Sequence, residues 1–176
     1  MKDAYTMVSC SWKHHAALAE IGASTFYETF AADNTEEDMQ AYIGKTYAPK
    51  QIALNLAEPN IHYYLIYQGT EVMGYIKTIV QFEVEKLEGK TLELEKIYLR
   101  KEAHGSGMAK VLMDAAIQLA RTEKANNLYL GVWQENERAL AFYKKSGFEI
   151  YNTRQFKLGA RVCEDFLLRL RIVSDN

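Results

Sequence analysis

Few of the features that hold a chain together by covalent or compositional means are present. There are two cysteines, Cys10 and Cys163, far apart in sequence and matching no metal-ligand spacing. They offer no disulfide framework, and read as two reduced, partly buried thiols of a cytosolic protein. The two prolines, Pro49 and Pro59, come without any Ser/Gly-rich linker or low-complexity tract, and no internal repeat occurs. No apolar run approaches the length that crosses a bilayer. The opening MKDAYTMVSCSWKHH lacks the apolar core of a signal peptide. Lys and Arg number 21 against 23 Asp and Glu, a formal charge of −2, so the basic face of a nucleic-acid binder is not expected. The four histidines, His14, His15, His62 and His104, form no ligand cluster, and no metal is expected.

What remains is an ordinary globular composition, 48 % hydrophobic and 25 % charged over 176 residues. A chain of that length buries roughly 70 % of its unfolded surface and is most simply one domain, or one domain with a modest helical addition. A short strand at 5–10 precedes a largely buried helix at about 12–30. Thr35 reads as the cap of a second helix, with Glu36, Glu37 and Asp38 in a first turn where the helix dipole favours negative charge. Pro49 suits the first turn of a third helix reaching residue 57. After Pro59 the pattern becomes that of strands: 62–67 and 72–80 as a hairpin around QGTE, then 91–99. A helix at about 105–124 carries Met108, Val111, Leu112, Ala115 and Leu119 at helical spacing. A strand at 127–133, a short helix at 136–147 capped by Asn136 and stopped by Gly147, and strands around 148–157 and 162–171 follow. The predicted fold class is mixed α/β (α+β), a mostly antiparallel twisted sheet with helices on both faces.

The stretch that invites chemistry is IYLRKEAHGSGMAKVLMDAA, residues 97–116. Gly105, Gly107 and Ala109 put small residues at the start of a predicted helix, where backbone N–H groups point outward and the dipole adds a favourable positive end. A pyrophosphate can approach such a backbone closely. A dinucleotide fingerprint would need glycine at position 110, which is Lys110, and the G-x-x-x-x-G-K-[ST] phosphate loop is absent. By itself the glycine pair fits a structural turn as well as it fits a phosphate seat.

A second block, LYLGVWQENERALAFYKKSGF, follows at 128–148. The two together resemble the GCN5-related N-acetyltransferase (GNAT) family. Its acetyl-CoA signature, Gln/Arg-x-x-Gly-x-Gly/Ala, is matched by residues 104–109 except at the first position, and Asn136, Ala139, Tyr143, Gly147 and Phe148 keep the register of its Asn-x-x-Ala-x-x-x-Tyr-x-x-x-Gly-Phe. That match covers about 60–171. STFYETFAADNTEEDMQAYI (24–43), with LELEKIYL (92–99) and residues 130–148, extends it toward the bacterial PaiA-type spermine/spermidine N-acetyltransferases. The resemblance implies one N-acetyltransferase domain over 1–176, with a helical acceptor-side part at about 12–58 and an acetyl-CoA-binding core at about 60–171. It implies acetyl transfer from acetyl-CoA to a primary amine, spermidine or spermine first, by direct attack in a ternary complex. Another amine (a protein N-terminus or an aminoglycoside) and a non-catalytic acyl-CoA-binding module stay open. So does a homodimer; neither nucleic acid nor membrane is an expected partner, and the expected compartment is the cytoplasm.

The same resemblance distributes roles. His104, Gly105, Ser106, Gly107, Met108 and Ala109 become the donor-binding turn. His104 stands where Arg or Gln is expected, which removes one charged phosphate contact at most; a solvated loop histidine is the plainer reading. Tyr143 lies beside the sulfur of acetyl-CoA and donates a proton to the departing thiolate, the alternative being a half-buried tyrosine packed next to Phe142. Asn136 is both helix N-cap and a contact to the pantetheine arm. Lys145 meets phosphate or is a solvated lysine. Backbone N–H groups near Ile97, Tyr98 and Leu99 polarise the thioester carbonyl as an oxyanion site would. An ammonium has no lone pair, and primary amines titrate near pH 10, so a base or water chain helps. Glu95 is the first candidate and Glu93 the second, both expected on one face of their strand; a carboxylate paired with Lys96 or a neighbour is the alternative for either. Some relatives place a glutamate at the position of Gly131, where this chain has no side chain. Cys10 and Cys163 lack the helix-start or basic context of a nucleophile. The acidic stretches Glu36-Glu37-Asp38 and Glu83-Glu85-Glu88 suit a polycation, and equally suit hydrated helix ends and loops.

Overall fold

The computed structural model describes residues 5–173. Its elements are β1 (Tyr5–Ser9), α1 (His15–Phe30), α2 (Glu36–Thr46), α3 (Pro49–Ala57), β2 (Ile61–Gln68), β3 (Glu71–Gln81), β4 (Thr91–Leu99), α4 (Met108–Thr122), β5 (Asn127–Trp133), α5 (Glu137–Lys145), β6 (Glu149–Leu158) and β7 (Arg161–Arg171). Single 3-10 turns occupy Trp12–His14, Ala31–Asp33 and Lys101–Ala103. The strands are ordered β1-β2-β3-β4-β5-β7-β6 in a mixed sheet. β1–β2, β5–β7 and β6–β7 are antiparallel and β4–β5 is parallel, the fold class expected from the sequence. Two helices start later than expected: α1 at His15, after the 3-10 turn at Trp12–His14, and α4 at Met108 rather than near 105. Gly105 and Gly107 have φ of +78° and +92°, left-handed values that a right-handed helix cannot include.

The described chain divides into two compact units. One comprises the residues up to Thr78 with Lys96–Ala115, the other Ile79–Glu95 with the residues from Ala116 on.

In the first unit, β1 pairs with β2 from Tyr5↔Gln68 to Ser9↔Tyr64. α2 starts where Thr35 does, its hydroxyl accepting the Asp38 N–H at 3.2 Å. Pro49 opens α3, where its missing N–H leaves no intrahelical bond unmade. The core gathers Leu18, Ile21 and Phe26 of α1, Met39 of α2, Ile52 of α3, Leu65 and Ile66 of β2, and Tyr75 and Ile76 of β3, all nearly inaccessible. Phe26 stacks on Tyr42 with ring centroids 4.3 Å apart. Gly22 lets the Tyr47 ring lie against α1, since a Cβ there would come within 2.5 Å of Tyr47 Cε1.

In the second unit, β5 pairs with β7 from Asn127↔Arg171 to Trp133↔Asp165, and β6 pairs with β7 across an irregularity between Ile150 and Asn152. Leu128, Leu130 and Val132 are buried on one face. Tyr129, Gly131 and Trp133 alternate to the other. Because directly paired residues share a face, the pairs Glu93↔Tyr129, Trp133↔Asp165 and Arg154↔Asp165 bring Glu93, Asp165 and Arg154 to that second face. α5 is closed by Gly147 at φ +93°, after which the Phe148 N–H donates to the Tyr143 carbonyl at 3.1 Å.

Replacing Gly22 with Ala gains about 1 kcal/mol of helix propensity but forces the Tyr47 ring to move, an overpacking cost of about 1–3 kcal/mol. Gly22→Ala is expected to lower the urea midpoint with the m-value unchanged.

Candidate active site

The glycine turn is built from the first unit. The Ser106 hydroxyl donates to the Ala103 carbonyl at 2.6 Å and accepts the Met108 N–H at 3.2 Å, capping α4. Tyr5 donates its hydroxyl to the Ser106 carbonyl at 3.0 Å. The Ser106 N–H bonds to Ala103, and the Gly107 carbonyl accepts from Lys110 and Val111. The N–H groups left without an acceptor among the described residues are those of Gly105, Gly107 and Ala109. A Cβ at Gly105 or Gly107 would meet nothing within 4 Å, so the glycines serve the left-handed backbone and leave open space above it. This arrangement fits an anionic, phosphate-bearing ligand. Met108 turns its side chain into the core. His104 is exposed, its Nε2 lying 3.3 Å from the Leu99 carbonyl, which ties the turn to the end of β4.

Ile97, Tyr98 and Leu99 are half-buried in the same unit. Tyr98 stacks on Tyr75 at 6.1 Å, and Tyr75 donates its hydroxyl to that of Tyr47 at 3.2 Å. The Lys96 ammonium lies 5.9 and 5.5 Å from the ring centroids of Tyr42 and Tyr47, a cation–π placement. Lys77, buried, lies 5.8 Å from the Tyr63 ring. Burial raises the Tyr47 phenol above its ordinary value, with the Lys96 cation opposing.

Asn136, Tyr143 and Lys145 belong to the second unit. The Asn136 side chain accepts the Ala139 N–H at 3.1 Å, so its predicted capping is present. Tyr143 is buried on the last turn of α5, its ring 5.5 Å from that of Phe142 and 5.9 Å from that of Phe148. Its hydroxyl has no hydrogen-bond partner among the described residues, and burial pushes it well above the usual phenol range. Lys145 is exposed.

The two β4 carboxylates have different surroundings. Glu95 is exposed. Glu93 is buried: Gln81 donates to its Oε2 at 2.5 Å, and Arg154 Nη1 lies 3.5 Å from its Oε1. Gln81 in turn accepts from the Tyr129 hydroxyl at 3.0 Å. Arg154 also reaches Asp165, Nε to Oδ2 at 3.6 Å. Burial raises the Asp165 carboxyl and the Arg154 guanidinium opposes it.

Sequence reading missed Arg154, Asp165 and Gln81; the one available signal was Gly131, an isolated strand glycine that marks a close approach. It also missed Lys96 with Tyr42 and Tyr47. Burial pushes the Cys10 thiol up to about 12, far from a nucleophile's range. Among the described residues no group of three or more His, Cys, Asp or Glu is placed to hold a metal ion, and no helix is long and apolar enough to cross a membrane.

The acetyltransferase (GNAT) family profile matches residues 19–148. The chain belongs to that family. It is an N-acetyltransferase, and acetyl-CoA is its donor. It is 34 % identical over 168 residues to an uncharacterized N-acetyltransferase in the pepI 3' region of Lactobacillus delbrueckii subsp. lactis, covering 95 % of this chain and 97 % of that protein. It is 21 % identical over 136 residues to a spermidine N(1)-acetyltransferase of Thermoplasma acidophilum, covering 77 % and 83 %. Its fold matches the crystal structure of PaiA N-acetyltransferase from Thermoplasma acidophilum in complex with coenzyme A, with a TM-score of 0.78 at 19 % identity over 96 % of this chain and 99 % of that one.

A Cβ at Gly107 would sit at a left-handed φ costing about 1–2 kcal/mol. Gly107→Ala is therefore expected to rearrange the turn and raise the calorimetric Kd for coenzyme A about tenfold, with His104→Ala staying within about twofold.

Proposed function

We propose that residues 1–176 act as one cytoplasmic N-acetyltransferase domain whose acceptor is a polyamine such as spermidine or spermine. The observation that carries the acceptor is the pair of buried carboxylates, Glu93 and Asp165, on one sheet face with a single guanidinium between them. These three groups together keep one net negative charge, which suits a polycation. The name of the Thermoplasma spermidine N(1)-acetyltransferase points the same way. The free thiols of Cys10 and Cys163 suit a reducing compartment.

In this reading the acceptor nitrogen, once deprotonated, attacks the acetyl carbonyl to form the C–N bond, the C–S bond breaks, coenzyme A leaves as its thiolate, and the acylated nitrogen gives up its second proton to water. Gly105, Gly107 and Ala109 offer their N–H groups to the donor's pyrophosphate, with Ser106 and Met108 holding the turn and His104 at its edge. N–H groups of Ile97, Tyr98 and Leu99 polarise the carbonyl. Asn136 contacts the pantetheine arm and Lys145 the phosphates. Glu95, in contact with water, is the first candidate to take the amine's proton through a water; Glu93 is the second. A thiolate leaves readily, since thiols titrate near 8.5. The proton donation expected of Tyr143 gives way to a hydrogen bond: with its phenol raised by burial, Tyr143 keeps its proton and donates that bond to the sulfur.

A second reading, a protein N-terminus as acceptor, is favoured by Lys77 and Lys96, two cations held over tyrosine rings in the first unit. A panel of polyamines, aminoglycosides and N-terminal peptides, assayed for release of free coenzyme A, separates the two. Preference for spermidine or spermine supports the polyamine reading, and turnover confined to peptides overturns it. Tyr143→Phe is expected to lower kcat about 10²-fold, as removal of one oxyanion-type donor does, with coenzyme A affinity retained. Because Tyr143 stays protonated, it adds no alkaline break to the wild-type pH–rate profile below pH 10; turnover unchanged in the variant removes its role.

A further inference from the structure

We propose that Arg154 is a specificity-determining residue of the acetyl transfer, a resident cation that sets how strongly the face bearing Glu93 and Asp165 attracts a multiply charged amine. The proposal rests on the polyamine reading, through the place given there to Glu93 near the acceptor.

The first observation is reach. Arg154 stands on the edge strand β6 opposite Asp165 of β7, yet its guanidinium extends past β5 to within 3.5 Å of Glu93 on β4. The second is the space that permits this. A Cβ on Gly131 of β5 would come against Arg154 Nη2, 2.8 Å from its Cζ and 3.0 Å from its Nε. The guanidinium lies over the glycine, in the volume that any other residue would fill. The third is exposure: the side chains of Glu93 and Asp165 are 9 % and 10 % exposed, that of Arg154 42 %. Two anions are shut away from water while the cation between them stays open to it.

A planar guanidinium can serve both carboxylates at once, which an ammonium cannot do equally well. The other groups facing Glu93 are Gln81 from β3 and Tyr129 from β5; Tyr151 of β6 also feels both Glu93 and Arg154. Arg169 of β7 lies 6.0 Å from the Tyr151 ring and is itself paired with Glu149 at 3.0 Å. Arg154 is thus the cation that contacts both buried anions, and it leaves them one net negative charge. An incoming ammonium competes with it for the same oxygens. Without Arg154 the Glu93 and Asp165 pair is left with two negative charges, and the gain in attraction grows with the number of charges on the amine.

The test is an acceptor series of rising charge, from a monoamine through putrescine and spermidine to spermine, on wild type, Arg154→Gln, Arg154→Lys and Gly131→Ala. Arg154→Gln is expected to lower the spermine-to-monoamine KM ratio about tenfold, an effect that shrinks at high salt. Arg154→Lys keeps the charge and restores most of the wild-type ratio. Gly131→Ala keeps the charge but displaces the guanidinium from Glu93, and moves the ratio in the direction of Arg154→Gln. A cooperatively melting Arg154→Gln protein with the wild-type ratio overturns the proposal; if that variant does not fold, an unchanged ratio in Gly131→Ala does so. Should wild type acetylate no polyamine, the polyamine reading fails. Calorimetric Kd values for spermine and the monoamine on the coenzyme A complex then decide on Arg154: selective tightening for spermine in Arg154→Gln upholds it, and equal affinities overturn it.

Discussion

Two carboxylates placed on one face of a β-sheet, nearly out of reach of water, are costly to bury unless a cation stands between them. In this chain that cation is Arg154, and much of the second unit is arranged around it. It can bridge Glu93 and Asp165 only because β5 offers a glycine where its guanidinium passes. It faces the right way only because β6 pairs with β7 in the register that sets Arg154 opposite Asp165. A slip of one residue would turn Arg154 to the face where Leu128 and Leu130 are buried. Charge burial, strand register and one missing side chain are therefore a single constraint.

The glycine turn answers a different demand. Along residues 105–109 the backbone donors without a partner among the described residues alternate with those already used. Ser106 caps the helix end with its hydroxyl and so removes the Met108 N–H from the pool, while its own N–H goes to the Ala103 carbonyl. Gly105 and Gly107 adopt left-handed backbone at little cost, where an L side chain would add strain. A histidine in place of the expected arginine or glutamine leaves these main-chain groups where they are, since no substitution at 104 removes them.

Local signals foretold most of the fold. Thr35, Pro49, Asn136 and Gly147 each do in three dimensions what their chemistry predicts, because caps and stops depend on neighbours three or four residues away. The start of α4 was misread because helical spacing from Met108 onward says nothing about the φ of the glycines before it. On β4, strict alternation put Glu93 and Glu95 in like positions, yet one is buried in a polar network and the other exposed. Alternation describes the strand itself, whereas burial is decided by what packs on it.

The sequence by itself determined the order of elements, the glycine turn and the register of Asn136 with Tyr143, and with them membership of the acetyltransferase family. These are short-range properties, set by dihedral preference, capping and hydrophobic period. Only the tertiary structure decided that Arg154 is the partner of Glu93, that Gly131 makes room for it, and that Lys96 lies over Tyr42 and Tyr47. Those contacts join residues dozens of positions apart, and nothing in one-dimensional spacing encodes which strands become neighbours or how far a side chain will reach across them.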